Sequence, residues 1–382
     1  MGLRLSIKAI SLLLILAHVA EGGDFDVTKY GAKPNCDVKQ ALMSAWKEAC
    51  LCPTPSTVTI PPGLFPCGPV VLEGPCKAPI GVILKGNLKA PALAQIPTEA
   101  WIVFQKVNGF TLSGGGSVDG MGADAWKTKN TKRPANLRFN YVNNSMITDI
   151  TTKDPKMFHI TVLGGSNMTF AKLNIIAPGD SHNTDGLHIA RSNDIKVLDS
   201  KIATGDDCVS FGDGVSRTNI EKIACGPGHG ISIGSLGKYP NEQPIQGITV
   251  KDCTFSNTTN GVRIKTWPGS PPSVAADMHF EDLIMKEVYN PIIIDQEYCD
   301  ANLKCPPKPP SQVKISKVSF KNIRGSSLTD VAIKLVCSKT LPCQEVEIGN
   351  IDLTFKGGAA KSLVTNLKPT PCGKINPALG PA

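Results

Sequence analysis

The chain of 382 residues carries 40 Lys and Arg against 32 Asp and Glu, a formal net charge of +8, with 41% hydrophobic residues. A basic balance suits a polyanionic partner, but only 5% of the residues are aromatic and no run of five or six Lys/Arg occurs. That pattern weakens a nucleic-acid reading and leaves an acidic polysaccharide, a membrane surface or ordinary surface charge open. Beyond the N-terminal segment no stretch reaches ~18 uninterrupted apolar residues, so no membrane anchor is expected.

In chain order, residues 1–22 read first as a secretory signal peptide. Arg4 and Lys8 precede an apolar run from Ala9 to Val19, and small residues follow, with cleavage after Ala20 or Gly22. Residues 23–382 then form a single extracellular domain, of charge +7 once Arg4, Lys8 and Glu21 are gone. Next, "CDVKQALMSAWKEAC" predicts a helix with Val38, Ala41, Leu42, Ala45, Trp46 and Ala49 on one face. Asp37 is its expected N-cap, and Gln40 completes a capping-box pattern.

Almost everything after that helix is short β-like runs broken by Gly, Asn, Asp and Pro. A unit of "small or Asn, apolar, x, apolar" recurs, marked by Leu112, Ile147, Phe170, Val197, Ile220, Val250, Phe280, Ile315 and Ile348 at intervals of 23 to 35 residues. Such a unit is too short for a propeller blade and has no helix-length crossover for a βαβ sheet. The remaining solution is an all-β, single-stranded, right-handed parallel β-helix, with the N-terminal helix capping its open end.

Polar groups fall one set per coil: Asn183 and Asp185 in "NTDG", Asp206 and Asp207 in "GDDC", His229 in "GHG", Arg263 and Lys265 in "VRIK", then Tyr298. Asp206 and His229 each lie nine residues past a marker, which stacks them on neighbouring coils ~4.8 Å apart. Arg263 and Lys265, two apart on a strand, share one face. Singly, "NTDG" also fits a self-bonded turn, "GHG" a glycine bend and "RIK" a solvated strand face. Their coincidence on one stripe points to a site. Asp206 and Asp207 can both serve it only if Gly205 opens a turn or bulge, since adjacent residues on a regular strand face opposite ways.

The thirteen cysteines lack a paired C-x₂-C pattern, which disfavours zinc. In an oxidising compartment they predict disulfides, with Cys208–Cys225, Cys299–Cys305 and Cys337–Cys343 as candidates and at least one thiol left over. Asn143, Asn167 and Asn257 open N-x-S/T sequons.

"NTD", "GDD", "GHG" and "RIK", in this order and with Tyr298 33 residues after Lys265, resemble the polygalacturonases of glycoside hydrolase family 28. The likeness covers essentially the whole mature chain and is strongest to the plant, pollen-type exopolygalacturonases. It implies hydrolysis of α-1,4-galacturonosyl linkages in pectin with inversion, without a cofactor or a metal, by a monomer. It further implies that Asp206 is the general acid, that Asp185 and Asp207 activate water and that His229 supports the acid. Arg263 and Lys265 would grip the galacturonate carboxylate, Tyr298 would border the sugar and Asn183 would orient the water or Asp185. Exo action depends on loops closing one end of the cleft, for which "SLGKYPNEQP" and "CDANLKCPPKPPSQ" are candidates. Endo action, a calcium-dependent pectate lyase and a non-catalytic pectin-binding protein are the alternatives.

Overall fold

A computed structural model describes residues 22–97, 99–128, 133–299 and 308–380. The expected signal segment, residues 1–21, lies outside the described residues, as does Cys305 of the expected Cys299–Cys305 bridge. Strands of mostly three to seven residues coil into three stacked parallel ladders, a right-handed β-helix.

The first ladder follows the repeat. Phe25, Val58, Val82, Leu112, Ile147, Phe170, Val197, Ile220, Val250, Phe280, Phe320 and Ile348 stand in register, rung on rung. Their inward side chains form the core, each contributing about 2 kcal/mol by leaving water. One expected marker is wrong. Ile315 pairs with Ala275, and Phe320 takes the place on Phe280. Both "VKI" and "VSF" satisfy the apolar-x-apolar pattern within the long strand Val313–Ser327, and only pairing separates them.

The second ladder leaves the first at a corner occupied on successive coils by Asp149, Lys172, Asp199, Lys222, Asp252, Asp282, Asn322 and Asn350. All have φ between 47° and 56°. Asn and Asp, which tolerate this left-handed conformation best, hold six of these eight positions, and Lys172 and Lys222 the other two. The amides also bond along the stack, Asn322 Nδ2 donating to Asp282 Oδ1 at 2.9 Å and Asn350 Nδ2 to Asn322 Oδ1 at 3.1 Å.

Among the described residues the third ladder has eleven strands, including Leu187–Ala190, Val209–Phe211, Ile231–Leu236 and Asn260–Thr266. The helix Lys39–Leu51 lies over the first coil and buries the predicted face. Trp46 meets Phe104 and Phe110 edge-on at 6.0 Å and donates to Glu73 O. The capping box does not form: Val38 is the N-cap residue, and Asp37 Oδ1 accepts from Lys39 N and Gly68 N.

Disulfides Cys208–Cys225 and Cys337–Cys343 are as expected, and Cys50–Cys76 is an addition that ties the helix to the first coil. Five described cysteines, Cys36, Cys52, Cys67, Cys253 and Cys372, are thiols. No helix among the described residues is long and apolar enough to cross a membrane.

Candidate active site

The third ladder alternates. Leu187, Val209, Ile231 and Val262 face inward in register, while His188, Ser210, Ser232 and Arg263, one residue on, form an outward polar row. The carboxylates come from the bends just before these strands. Cavity walls from several coils then enclose about 760 Å³ around Asn183, Asp185, Asp206, Asp207, His229, Arg263, Lys265 and Tyr298, so every candidate residue converges on one space.

The bend at Gly205 is real. Residues 204–208 are not strand, and a Cβ at Gly205 would lie 2.0 Å from the Ser181 carbonyl oxygen. Space, not a left-handed φ, requires glycine there. Its N–H donates to Thr184 Oγ1 at 2.9 Å, while Asp206 Oδ1 accepts from Asp207 N at 2.8 Å. Both acids thereby reach the cavity.

The three acids have different surroundings. Asp207, with 2% of its side chain exposed, accepts from Ser232 Oγ (2.7 Å) and Arg263 Nη2 (3.1 Å) on one oxygen, and from Lys265 Nζ (3.1 Å) on the other. Burial pushes its carboxyl up, but Lys265 and Arg263 outweigh burial and hold it below the usual value. Arg263 and Lys265 do share a face as expected, but what they grip here is Asp207. Asp185 is buried, with no cation in contact among the described residues. Burial, then the charges of Asp206 and Asp207, raise it well above the usual carboxylate value against the pull of Ser210 and Lys265. Asp206 is the most open, at 19% side-chain exposure, and its Oδ1 lies 3.1 Å from His229 Nδ1. That hydrogen bond raises the His229 pKa, against burial and with help from the charge of Asp206.

Asn183 reaches Asp206 (3.5 Å) rather than Asp185, and its Oδ1 accepts from Arg133 Nη2 at 3.0 Å. Tyr298 sits edge-on to Trp267 at 5.1 Å, with Lys265 Nζ 5.4 Å from its ring centre. The loop of "SLGKYPNEQP" does form a wall: Glu242 accepts from the backbone N–H groups of Gly237, Lys238 and Tyr239 and turns the last two into the cavity. The 299–312 insert contributes Cys299 to the lining, and its residues 300–307 lie outside the described residues.

One ligand atom from each of Asp206, Asp207 and His229 lies within 4.8 Å of the others, a spacing that a metal could bridge. The donor set does not suit calcium, because both Asp207 oxygens are engaged by cations and an imidazole is a poor ligand for it.

Sequence reasoning missed His188, Ser210, Ser232 and Arg133. The signal for the first three was present in the quartets "DGLH", "DCVS", "HGIS" and "NGVR", whose third residues are the paired inward positions.

Residues 50–373 match the model of Glycosyl hydrolases family 28. A polygalacturonase of Nicotiana tabacum is 50% identical over 99% of this chain and 97% of its own length. An exopolygalacturonase of Oenothera organensis is 50% identical over 90% of this chain and 98% of its own. The crystal structure of a hyperthermoactive exopolygalacturonase from Thermotoga maritima shares the fold at a TM-score of 0.72 and 14% identity, covering 90% of this chain and 91% of that one.

Proposed function

The chain belongs to glycosyl hydrolase family 28, and from that premise we propose that it hydrolyses α-1,4-galacturonosyl linkages of polygalacturonate with inversion, exo-acting from the non-reducing end. The supporting observation is the convergence of Asp185, Asp206, Asp207 and His229 with two cations on one cavity.

The three acids divide the work according to their environments. Asp206, the most open and hydrogen-bonded to His229, donates a proton to the leaving oxygen. Asp185, lining the same cavity with its Oδ2 held by Ser210 Oγ, takes the proton from the attacking water. Asp207 stays anionic, orients that water and fixes Arg263 and Lys265. Those cations keep N–H groups for the galacturonate carboxylate, and Tyr298 borders the sugar. Residues 1–22 direct secretion, residues 23–382 act as one domain on cell-wall pectin, and Asn143, Asn167 and Asn257 accept glycans.

A product time course on a defined galacturonate oligomer tests this reading. Monomer alone from the start supports exo action, and mixed oligomers would mean endo action. An ultraviolet-absorbing product would mean a lyase. No new reducing ends between pH 3 and 7 would leave a binding protein.

A further inference from the structure

If Asp185 takes a proton from water, that proton must leave before the next turnover, and Asp185 is only 6% exposed. Its Oδ2 lies 2.7 Å from Ser210 Oγ, and Ser210 Oγ lies 2.8 Å from His188 Nδ1. Backbone pairing of His188 with Ser210 on adjacent rungs fixes this row, and the imidazole stacks on Phe158 at 5.2 Å and 17°. No protein group among the described residues bonds His188 Nε2. His188 lines both the cavity holding the acids and an adjacent one of about 520 Å³.

We propose that Ser210 and His188 are positioning residues of a proton path that carries the hydrolytic proton from Asp185 to the second cavity. The inference rests on Asp185 being the base. A serine hydroxyl has one proton, so the row has a direction. With Asp185 ionised, Ser210 donates to Asp185, His188 Nδ1–H donates to Ser210, and Nε2 carries a lone pair. With Asp185 protonated, each bond reverses, and His188 carries its proton on Nε2. Passing from the second state to the first takes three hops. The Nε2 proton goes to cavity water, the Ser210 proton goes to Nδ1, and the Asp185 proton goes to Ser210 Oγ. Protons balance; the Ser210 hydroxyl turns and the imidazole flips to reset the row once Asp185 takes its next proton, and because the three hops are concerted neither imidazolium nor imidazolate forms. That last point matters because burial pushes His188 down to about 4. A sugar covering Asp185 leaves an exit open, because His188 also lines the neighbouring cavity.

The test compares the first turnover, by rapid quench on trigalacturonate, with the steady state in wild type, His188→Ala, His188→Gln and Ser210→Ala. The path acts after the chemical step. The His188 variants should therefore keep a near wild-type first turnover and lose ~10-fold or more in steady-state kcat, which appears as a burst. Imidazole should restore His188→Ala, whereas Gln, which keeps a donor to Ser210 but cannot relay, should stay slow. Equal slowing of the first and later turnovers, or loss without imidazole rescue, would overturn the path. Asp185→Asn separates the two ideas. A wild-type first turnover in that variant removes Asp185 as the base. An inactive Asp185→Asn beside fully active His188 variants removes the path alone.

Discussion

Lys265→Met probes how the site is held together. Asp207 is buried with its charge shared between Arg263, Lys265 and Ser232, and Met keeps most of the Lys265 volume while removing one cation. Removing one partner of a buried pair costs about 3–5 kcal/mol because the remaining charge is undercompensated. Arg263 remains at 3.1 Å, so the loss should sit at the lower end, about 3 kcal/mol at pH 7. The sign with pH follows from the depressed Asp207 pKa. Its stabilisation is fully present above the unfolded value, ~3.9, and is lost as pH falls through the lower folded value. Urea unfolding from pH 7 to pH 3 should therefore show a gap between wild type and variant that closes in acid. A second change, Asp207→Asn in the Lys265→Met background, should recover part of the loss at pH 7. Equal stability at pH 7, or a gap unchanged down to pH 3, would refute the reasoning.

Asp206→Asn should fold normally by circular dichroism and lose ~10²–10⁴-fold in reducing-end release, the usual contribution of a general acid. The first product of the wild-type enzyme, followed by proton NMR, should be the β-anomer; an initial α-anomer would contradict inversion. Gly205→Ala places a Cβ 2.0 Å from the Ser181 carbonyl oxygen. It should destabilise by about 1–3 kcal/mol and depress kcat by shifting both acids, as read by thermal melts and kinetics. Because the hydrogen bond to Asp206 favours protonated His229, its charge should persist above the ordinary pKa of ~6.5. The kcat/KM profile should then fall on a basic limb above that pH, and His229→Gln should displace that limb, leaving the one set by loss of the acid's proton.

The fold was legible because inward residues repeat at rung spacing, and counting from Val197 and Ile220 placed Asp206 against His229 correctly. Counting failed at Ile315, where two apolar pairs lie on one strand and only inter-rung pairing chooses between them. The capping box failed because Asp37 turns its carboxylate to Gly68 as well as Lys39, a contact set by tertiary packing. The capture of Arg263 and Lys265 by Asp207 was not legible, since it joins residues 56 and 58 apart across a bend whose shape depends on Ser181. The quartets put His188 and Ser210 in one outward register, but a histidine and a serine are ordinary on an outward strand face, so the register alone did not mark them as part of the site.

The outward row of the third ladder makes the active site a graduated scale. Paired positions are 22 residues apart from Leu187 to Val209 and again to Ile231, then 31 apart to Val262. The last interval carries the wall with Lys238 and Tyr239, yet Arg263 Nε still meets Ser232 Oγ at 3.1 Å. Added chain bulges sideways, because the interval between rungs is set by backbone hydrogen bonds and not by the length of the connection. The dimensions of the chemistry and the shape of the cleft are therefore separately adjustable. Loops can be lengthened or trimmed to change which end of a polymer enters, while the gap between the acids stays the same.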